Sequence, residues 1–440
     1  MANDWQNSAR GLALKTLEDV FVEGAYSNIA LNKNLKSSNL AERDKNLVTE
    51  MVYGTVARKI TLEWYVAHFI ADRDKLETWV YLLLLLSFYQ LHYLDQVPAH
   101  AIVNDAVAIA KSRGNKKGAE KLVNAVLRRA SVEVWPDPNK IKRTNKRYAT
   151  LYSMPVWLVK KLIEQFGKDR AVAIMESLWV PSKASLRLID MKQKAAIKAD
   201  LGLRDSQLAK TALVADSGRF AASKWFQAGL VTIQDESSQL VVPTLALEGT
   251  EAVLDACSAP GGKTSQIAAQ LTSGHVTALD LYDHKLALVK ENASRLGVAD
   301  KVKTQKLDAR YVHQYFAADS FDKILVDAPC SGIGLIRRKP DIKYNKANQD
   351  FAALQAIQLA ILSSVCQTLR KGGIITYSTC TIFQEENQQV IETFLQHHPN
   401  FEQVTLKHTQ SDIVRDGCIL ITPEQYHTDG FFIAQLRRIQ

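Results

Sequence analysis

The chain has 440 residues, 47% of them hydrophobic, which is enough apolar material for about two or three folded domains without disulfide staples. Its five cysteines are odd in number and include no Cys-x-x-Cys pair. This excludes a disulfide framework and a zinc knuckle and favours reduced thiols in the cytoplasm. The formal charge of +9 indicates an affinity for polyanions.

The first 140 residues are predicted to form an all-helical domain. Apolar residues recur with helical spacing over residues 8–129, and the most apolar run, residues 79–91, is far shorter than the ~20 residues needed to cross a bilayer. That run predicts a buried helix. Another helix is expected to begin near Pro98 and to end at Gly114. The first six residues lack the basic and apolar pattern of a secretory signal, so we expect a cytoplasmic protein.

Positive charge is concentrated in the first half of the chain. Residues 1–150 and 151–230 each carry a net charge of +6, whereas residues 231–440 carry −3. Residues 111–147 alone carry +9. Such clustering is typical of proteins that bind nucleic-acid phosphates, although a solvated helix and linker would give the same count.

Prolines and charges at residues 135–143 predict a linker, with a domain boundary near residue 140. A helix over residues 155–166, apolar alternation at 184–188 and a strand at 229–233 follow. Residues 141–231 are therefore predicted to form a small α+β adaptor domain.

Strand-like and helical segments alternate over residues 232–440, which predicts an α/β domain with a mostly parallel sheet covered on both faces. Strands are predicted at 252–255, 275–280, 302–308, 321–327 and 373–377, helices at 264–271, 285–296 and 349–369, and a final strand at 430–436. Ligands bind at the carboxyl ends of such strands. The residues expected along that rim are Asp255, Asp280, Asp308, Asp327 and Cys380.

The first of these strands leads into a glycine turn, residues 255–264, with the sequence DACSAPGGKT. Its end resembles a phosphate-binding loop, but Cys257 stands where that loop needs a glycine, and the third glycine of a dinucleotide fingerprint is missing. Gly261 and Gly262 would let a ligand approach the backbone closely. The amides at the start of the following helix favour a carboxylate, such as the methionine end of S-adenosylmethionine (SAM).

Two carboxylates further along the rim suit the rest of the same ligand. Asp280 is placed to accept hydrogen bonds from ribose hydroxyls, and Asp308 to meet the adenine amine. Each of them alone is as well explained as an ordinary helix cap.

Two more apolar runs end in cysteine, at Cys330 and Cys380. Carbon 5 of cytosine is too weak a nucleophile to take a methyl group from a sulfonium, but a thiolate added at carbon 6 makes it a nucleophilic enamine. The proton on carbon 5 must then leave and the thiolate must be expelled, which a second group assists. Two cysteines at neighbouring strand ends fit this division, although either one alone is usually an inert buried thiol.

These residues resemble the RsmB (Sun/Fmu) family of bacterial 16S rRNA cytosine-5 methyltransferases, within the NOL1/NOP2/Sun group. The resemblance covers essentially the whole chain and is most specific at residues 255–264, 327–342 and 377–380. Residues 43–55 and 122–129 resemble the NusB-type RNA-binding domain of that family. The resemblance implies an N-terminal all-α NusB-like bundle, a small α+β linker domain and a C-terminal Rossmann-like SAM-dependent methyltransferase. The family target is cytosine 967 of 16S rRNA.

The resemblance also implies roles for single residues. Cys380 would attack the base, Cys330 would assist release, and Asp327 would bind nitrogen 3 and the exocyclic amine of the cytosine. Ser258 stands where the family often has alanine. The implied SAM pocket consists of Cys257, Ser258, Ala259, Pro260, Gly261, Gly262, Lys263, Asp280, Asp308 and Asp327.

The expected partner is 16S rRNA or an assembling small ribosomal subunit, bound by a monomer without a metal or a membrane. Reaching carbon 6 requires the base to leave its stack, so an accessible loop or a flipped nucleotide is the expected substrate. Arg337, Arg338 and Lys339 are predicted to hold flanking phosphates, unless they form a solvated basic turn. Two other functions remain open: methylation of tRNA or 23S rRNA, and a non-catalytic RNA-binding assembly factor.

Overall fold

The computed structural model describes residues 5–114 and 118–440. The chain divides into two compact units, one formed by residues up to Val172 together with Lys339–Asn345, the other by Ala173–Arg338 and Lys346–Gln440. The first unit extends beyond the boundary predicted near residue 140, and the small sheet predicted as a separate adaptor is part of the second unit. Lys116 and Lys117 of the basic segment, and residues 1–4, lie outside the described residues.

The first unit is helical, as predicted. Its central helix, α5, is buried from Trp79 to Gln90 and packs against five neighbours, because its sequence is apolar on every side. α6 (Ala99–Arg113) is followed by Gly114, the residue predicted to end it. The helices are α1 (Ala9–Phe21), α2 (Ser27–Lys36), α3 (Glu42–Ala57), α4 (Lys59–Phe69), α5 (Thr78–Tyr93), α6 (Ala99–Arg113), α7 (Ala119–Ala130), α8 (Thr144–Leu151), α9 (Val156–Phe166) and α10 (Lys168–Ser177), which contains the boundary between the units.

A short 3₁₀ helix, Pro340–Tyr344, completes the first unit. Buried Asp341 accepts a hydrogen bond from the Ser27 hydroxyl. Lys343 is also buried, and its Nζ donates to the Ala57 carbonyl at 2.7 Å. Burial lowers the pKa of Lys343 to about 7. Specific polar contacts therefore fix this segment among the helices.

The second unit contains two sheets. The smaller one is antiparallel throughout, in the order β2-β3-β1-β4, and buries Leu186, Leu213 and Val231 in its core. Its strands are β1 (Ala184–Leu188), β2 (Arg204–Asp205), β3 (Ala212–Ala215) and β4 (Val231–Ile233), with the helices α11 (Lys194–Leu201), α12 (Lys224–Gln227) and α13 (Glu236–Gln239).

The larger sheet has nine strands in the order β11-β12-β13-β9-β8-β5-β6-β7, with β10 paired to β13. β5 to β9 are parallel, and the other four strands are antiparallel. The strands are β5 (Ala252–Asp255), β6 (His275–Asp280), β7 (Val302–Lys306), β8 (Phe321–Asp327), β9 (Leu369–Thr379), β10 (Phe401–Val404), β11 (Val414–Arg415), β12 (Cys418–Ile421) and β13 (Phe431–Arg438). The helices of this part are α14 (Gly262–Gln270), α15 (Asp283–Arg295), α16 (Asp350–Val365) and α17 (Gln388–His397).

The parallel strands match the predicted ones closely, whereas three antiparallel strands, β10, β11 and β12, were not predicted. The predicted final strand is present as β13, and it lies inside the sheet, since it pairs on both sides and residues 431–436 are all buried. The sheet is therefore mixed.

The order of the parallel strands fixes the place of the ligand site. The chain runs outward through β5, β6 and β7 and then returns to β8 on the other side of β5. Parallel sheets bind ligands outside the carboxyl ends of the strands at such a reversal. Asp255 and Asp327, the last residues of β5 and β8, lie at this point.

One helical stretch among the described residues, Asp350–Thr368, is long and apolar enough to span a membrane by length and composition alone. It packs against α17 and the 3₁₀ helix Ala309–Gln314 inside the second unit. These contacts are those of a core helix of a folded domain.

Candidate active site

A cleft opens at the reversal point of the large sheet. It is lined by Ile233, Gln234, Ser238, Asp255, Cys257, Ser258, Ala259, Pro260, Gly262, Lys263 and Asp327. Seven of the predicted cofactor residues thus line one cavity, and Gly261 lies in the same loop.

The glycine turn depends on the small size of its residues. Gly261 has a φ of 100°, and a Cβ atom there would come within 2.9 Å of the Val289 backbone, so a side chain would be strained and would clash. Gly262 begins α14, whose first amides have no partners within the helix. This helix start provides donors for a carboxylate at the wall of the cleft.

Asp255 is the deepest carboxyl group of the cleft. It accepts a hydrogen bond from the Thr264 hydroxyl at 2.7 Å, and burial raises its pKa to about 7. Burial also raises the pKa of Cys257 well above its usual value, and the surrounding carboxylates Asp255, Asp327, Asp280 and Asp308 add to this effect. The carboxylates Asp327, Asp280 and Asp308 therefore favour a cationic ligand next to Cys257.

Asp280 and Asp308 follow neighbouring strands but do not line the cleft itself. Asp280 ends β6 and accepts the Tyr282 amide. Asp308 follows β7, and Arg310 lowers the pKa of its carboxyl group by hydrogen bonding to it. Asp308 borders a separate, open depression with Tyr311 and other residues. Their predicted contacts with ribose and adenine remain predictions.

A polar chain connects the glycine turn to the end of β9. Lys263 Nζ forms an ion pair with Asp327 Oδ2 at 2.7 Å, and Asp327 Oδ1 accepts the Ser378 hydroxyl at 2.7 Å. Ser378 lies two residues before Cys380. Both oxygens of Asp327 are thereby oriented at the rim where β8 and β9 end.

The two predicted catalytic cysteines meet at this rim. Their Sγ atoms are 3.2 Å apart, and both residues are half-buried. The amide of Gly334 donates to the Cys380 carbonyl at 3.0 Å, which ties the loop after Cys330 to the strand that carries Cys380. A Cβ atom at Gly334 would lie 2.1 Å from the Gly430 carbonyl oxygen, so this close approach requires glycine.

The environment of Cys330 keeps a proton on its sulfur. The hydrogen bond with Cys380 raises the pKa of Cys330 well above its usual value, and burial and the Glu386 carboxylate act in the same direction. A thiolate formed within this pair is therefore disfavoured on Cys330.

Arg337 and Arg338 are occupied by protein groups of the second unit. Arg337 donates to the carbonyls of Ser177, Pro423 and Thr428. Arg338 forms ion pairs with Asp235 and Asp429. These contacts hold the loop that follows Cys330, and the predicted contacts of Arg337, Arg338 and Lys339 with phosphates remain predictions.

Arg187 was not among the predicted site residues. It lies in β1, is only 2% exposed, and donates to Gln234 at 2.6 Å, to the Gly262 carbonyl at 3.2 Å and to Ser265 at 3.1 Å. Burial lowers its pKa to about 10. The available sequence signal was its place between Leu186 and Leu188 in the apolar alternation at 184–188, a pattern in which successive side chains of a strand point to opposite faces.

Two further cysteines and a histidine of the second unit have structural surroundings. Cys366 and Cys418 are buried, and the His398 ring stacks on Phe394 and lies 3.1 Å from the Ser363 hydroxyl. The described ranges contain no group of three or more His, Cys, Asp or Glu residues arranged to hold a metal ion.

A parallel core with a glycine turn after its first strand, and an acidic cleft at the reversal point, defines a SAM-dependent methyltransferase of the Rossmann-like class. Residues 242–437 match the family described as 16S rRNA methyltransferase RsmB/F, and residues 7–131 match the NusB family. The chain belongs to the ribosomal RNA small subunit methyltransferase B family.

Whole-length relatives carry the same name. The protein of Bacillus subtilis strain 168 named probable ribosomal RNA small subunit methyltransferase B is 42% identical over 98% of this chain and 99% of its own. The Proteus mirabilis protein named ribosomal RNA small subunit methyltransferase B is 32% identical over 98% of each chain. The predicted methyltransferase activity on small-subunit rRNA, with SAM as methyl donor, is thereby confirmed.

Two solved structures show the same fold. PH0851 superimposes with a TM-score of 0.82 at 23% identity, covering 98% of this chain and 99% of its own. NSun6 from Pyrococcus horikoshii, solved with SFG, gives a TM-score of 0.58 at 21% identity over 66% of this chain and all of its own. The predicted fold class is confirmed.

Proposed function

We propose that this chain methylates carbon 5 of a cytosine in 16S rRNA, the family target cytosine 967, through a covalent bond between Cys380 and carbon 6. The observation that carries the proposal is the 3.2 Å separation of the Cys330 and Cys380 sulfur atoms at the rim of the cleft. Methylation of carbon 5 needs a sulfur nucleophile and a second group for release, whereas methylation of an exocyclic amine or a ribose hydroxyl needs neither.

The cleft fits SAM. The amides at the start of α14 and the Lys263 ammonium are suited to the carboxylate of its methionine part, and the carboxylates Asp327, Asp280 and Asp308 that act on Cys257 are suited to its positive charges. When bound, SAM supplies an electrophilic methyl group. The NSun6 structure, which shares this fold, was solved with the ligand SFG.

Three side chains, those of Asp327, Cys380 and Cys330, carry out the remaining steps of the proposed reaction. Lys263 and Ser378 orient Asp327, which protonates or hydrogen-bonds the cytosine at nitrogen 3 and accepts a hydrogen bond from its exocyclic amine. Both contacts favour addition at carbon 6. Cys380 Sγ forms the bond to carbon 6, and the electron pair of the 5,6 double bond then takes the methyl group at carbon 5. As the bond between Cys380 and carbon 6 breaks, the Cys330 thiol gives its proton to the departing Cys380 sulfur and takes up the proton from carbon 5, and the 5,6 double bond returns.

The helical unit supplies attraction for RNA in this proposal. Most of the basic side chains of the segment 111–147 that the structure describes are exposed: Lys111, Lys121, Arg128, Arg129, Lys140, Lys142, Arg143 and Lys146. Lys121 and Arg128 lie two turns apart on α7 and so share one side of it. Exposed cations at this density attract phosphates independently of the base sequence. Because the proposed substrate is ribosomal RNA, we expect the protein to be located in the cytoplasm.

Bisulfite sequencing of total RNA from cells lacking the protein tests the proposal. We expect one 16S rRNA cytosine to lose its resistance to conversion while the known tRNA and 23S rRNA sites keep theirs. A lost site in tRNA or 23S rRNA would transfer the activity to that RNA. An unchanged pattern would leave the assembly-factor function and refute cytosine-5 methylation.

A further inference from the structure

A buried carboxylate that the proposed chemistry does not use lies behind the two cysteine loops. Glu386 is fully buried at the end of a 3₁₀ helix, Gln384–Glu386. Its Oε1 accepts the Ser331 amide at 2.7 Å, and its Oε2 accepts the Ser331 hydroxyl at 2.6 Å. Two hydrogen bonds thus connect Glu386 to the residue directly after Cys330.

The residue on the other side of Cys330 is connected to the same carboxylate. Gln358 Nε2 donates to the Pro329 carbonyl at 3.0 Å and to Glu386 Oε1 at 3.3 Å. Gln358 is itself fully buried. Glu386 therefore restrains both chain neighbours of Cys330, one directly and one through an amide.

Asn387 restrains both chain neighbours of Cys380. Its Oδ1 accepts the Thr379 hydroxyl at 2.6 Å, and its Nδ2 donates to the Thr381 carbonyl at 3.2 Å. Thr379 and Thr381 are the chain neighbours of Cys380, and the Thr381 hydroxyl lies 3.0 Å from that of Ser331. Two consecutive residues therefore hold the two cysteine loops against each other.

The carboxylate also carries charge into this interior. Burial raises the pKa of Glu386, and its hydrogen bonds, led by those from Ser331, oppose this. A negative charge at Glu386 disfavours a second negative charge on Cys330, to whose loop it is bound. The Cys330 and Cys380 sulfur atoms lie 3.2 Å apart, so either can donate to the other, and the Glu386 charge acts on the Cys330 side of this pair.

We propose that Glu386 is a positioning residue for methyl transfer, which with Asn387 sets the two sulfur atoms side by side and, through its charge, disfavours a thiolate on Cys330. The proposal deepens the proposed function and rests on it for the roles of the two cysteines. The placement and charge of the sulfur atoms can be measured without RNA.

Alkylation of the purified full-length chain by iodoacetamide from about pH 6 to about pH 10, with each cysteine followed by peptide mass mapping, is the central test. In Glu386→Gln, the pH midpoint of Cys330 alkylation is expected to fall. Its rate near pH 8 is expected to rise roughly tenfold, the effect of one pKa unit on a thiolate fraction. Glu392→Gln, which removes a charge from an exposed position on α17, is the matched control and is expected to match wild type.

Turnover supplies the second readout. Glu386→Gln and Glu386→Asp are both expected to lower kcat by about ten- to a hundredfold without changing KM for SAM, because misplacement of reacting groups by ~1 Å has this effect. Glu386→Asp keeps the charge and is expected to retain the wild-type alkylation profile of Cys330. Because this variant changes only the length of the side chain, it tests the positioning role even if the glutamine variant fails to fold.

An unchanged Cys330 profile in folded Glu386→Gln would overturn the assignment of charge, and an unchanged kcat in folded Glu386→Asp would overturn the positioning role. Failure of the proposed function has a different signature. The alkylation results would stand, while the wild-type protein would methylate an atom other than carbon 5.

Discussion

The sulfur atoms of Cys330 and Cys380 lie 3.2 Å apart on loops that follow two neighbouring parallel strands, β8 and β9. Fifty positions separate them in the sequence. The sheet register brings them together, since Asp327 pairs with Ser378 in the last rung. Their separation is the basis for two predictions about single variants.

Cys380→Ser is expected to abolish methyl transfer and to keep SAM binding. An alcohol is a far weaker nucleophile than a thiolate, so turnover should fall at least roughly a thousandfold, whereas Cys380 does not line the cofactor cleft. Methylation of 16S rRNA fragments with labelled SAM and calorimetric titration of SAM measure the two effects. Measurable turnover by this variant would remove Cys380 as the nucleophile.

Cys330→Ala is expected to accumulate a covalent protein–RNA adduct, because addition at carbon 6 still occurs while release is impaired. The adduct should appear as a shifted band that survives denaturant. The double variant Cys330→Ala with Cys380→Ser is the control, and it should give no such band. Normal turnover by Cys330→Ala without an adduct would contradict the release role.

Much of this site followed from the sequence because it depends on local order. The parallel strands are short apolar runs, and Asp255, Asp280 and Asp327 come directly at their ends. The periodicity of the apolar residues and the position of each aspartate at the end of a strand are enough to place these aspartates on one rim of the sheet. The same reasoning found the glycine turn, because only glycine fits the φ of 100° at Gly261.

The residues that support this rim could not be predicted in the same way. Arg187 and Glu386 act through partners 75 and 55 positions away. A charged residue is assigned to the surface by its type, and only tertiary packing buries it with its partners. The interior place of β13 likewise depends on pairing with both β9 and β12, which local patterning does not report.

Arg187→Met is expected to weaken SAM binding by about ten- to a hundredfold. The change leaves the Gln234 side-chain oxygen without this donor and removes one of the donors to the Gly262 carbonyl, a loss of ~1–3 kcal/mol at the loop that forms the cleft wall. Titration of SAM measures it. Arg204→Met, exposed on β2 of the same sheet, is the control and should bind SAM normally. Unchanged SAM affinity in a folded Arg187→Met protein would show that the glycine turn holds its shape alone.

Three exposed cations after α7 are expected to contribute to RNA binding. Replacing Lys140, Lys142 and Arg143 together by Gln should weaken binding of a 16S rRNA fragment and lower the slope of log affinity against log salt by up to about 2. Filter binding at several salt concentrations measures both. The same replacement at exposed Lys192, Lys210 and Lys224 is the matched control. Equal losses in both triple variants would indicate net charge rather than this segment.

Asp255 makes the stability of the second unit depend on pH. Its pKa is raised to about 7 by burial, from 3.8 for an exposed aspartate, so the folded chain binds this proton more tightly than the unfolded chain does. Its contribution is therefore fully present below about pH 4 and is lost as the pH rises through about 7. The expected slope is at most about 1.4 kcal/mol per pH unit within this window.

Asp255→Asn removes this titration while retaining an oxygen that accepts from Thr264. The difference in melting temperature between the wild-type protein and this variant should shift in favour of the variant as the pH rises from about 5 to about 7, and should level off above that. Differential scanning fluorimetry across this range measures it. A difference that is constant from about pH 5 to about pH 8 would mean that Asp255 is ionised in the folded chain, and the cleft would then hold a full negative charge beside Cys257.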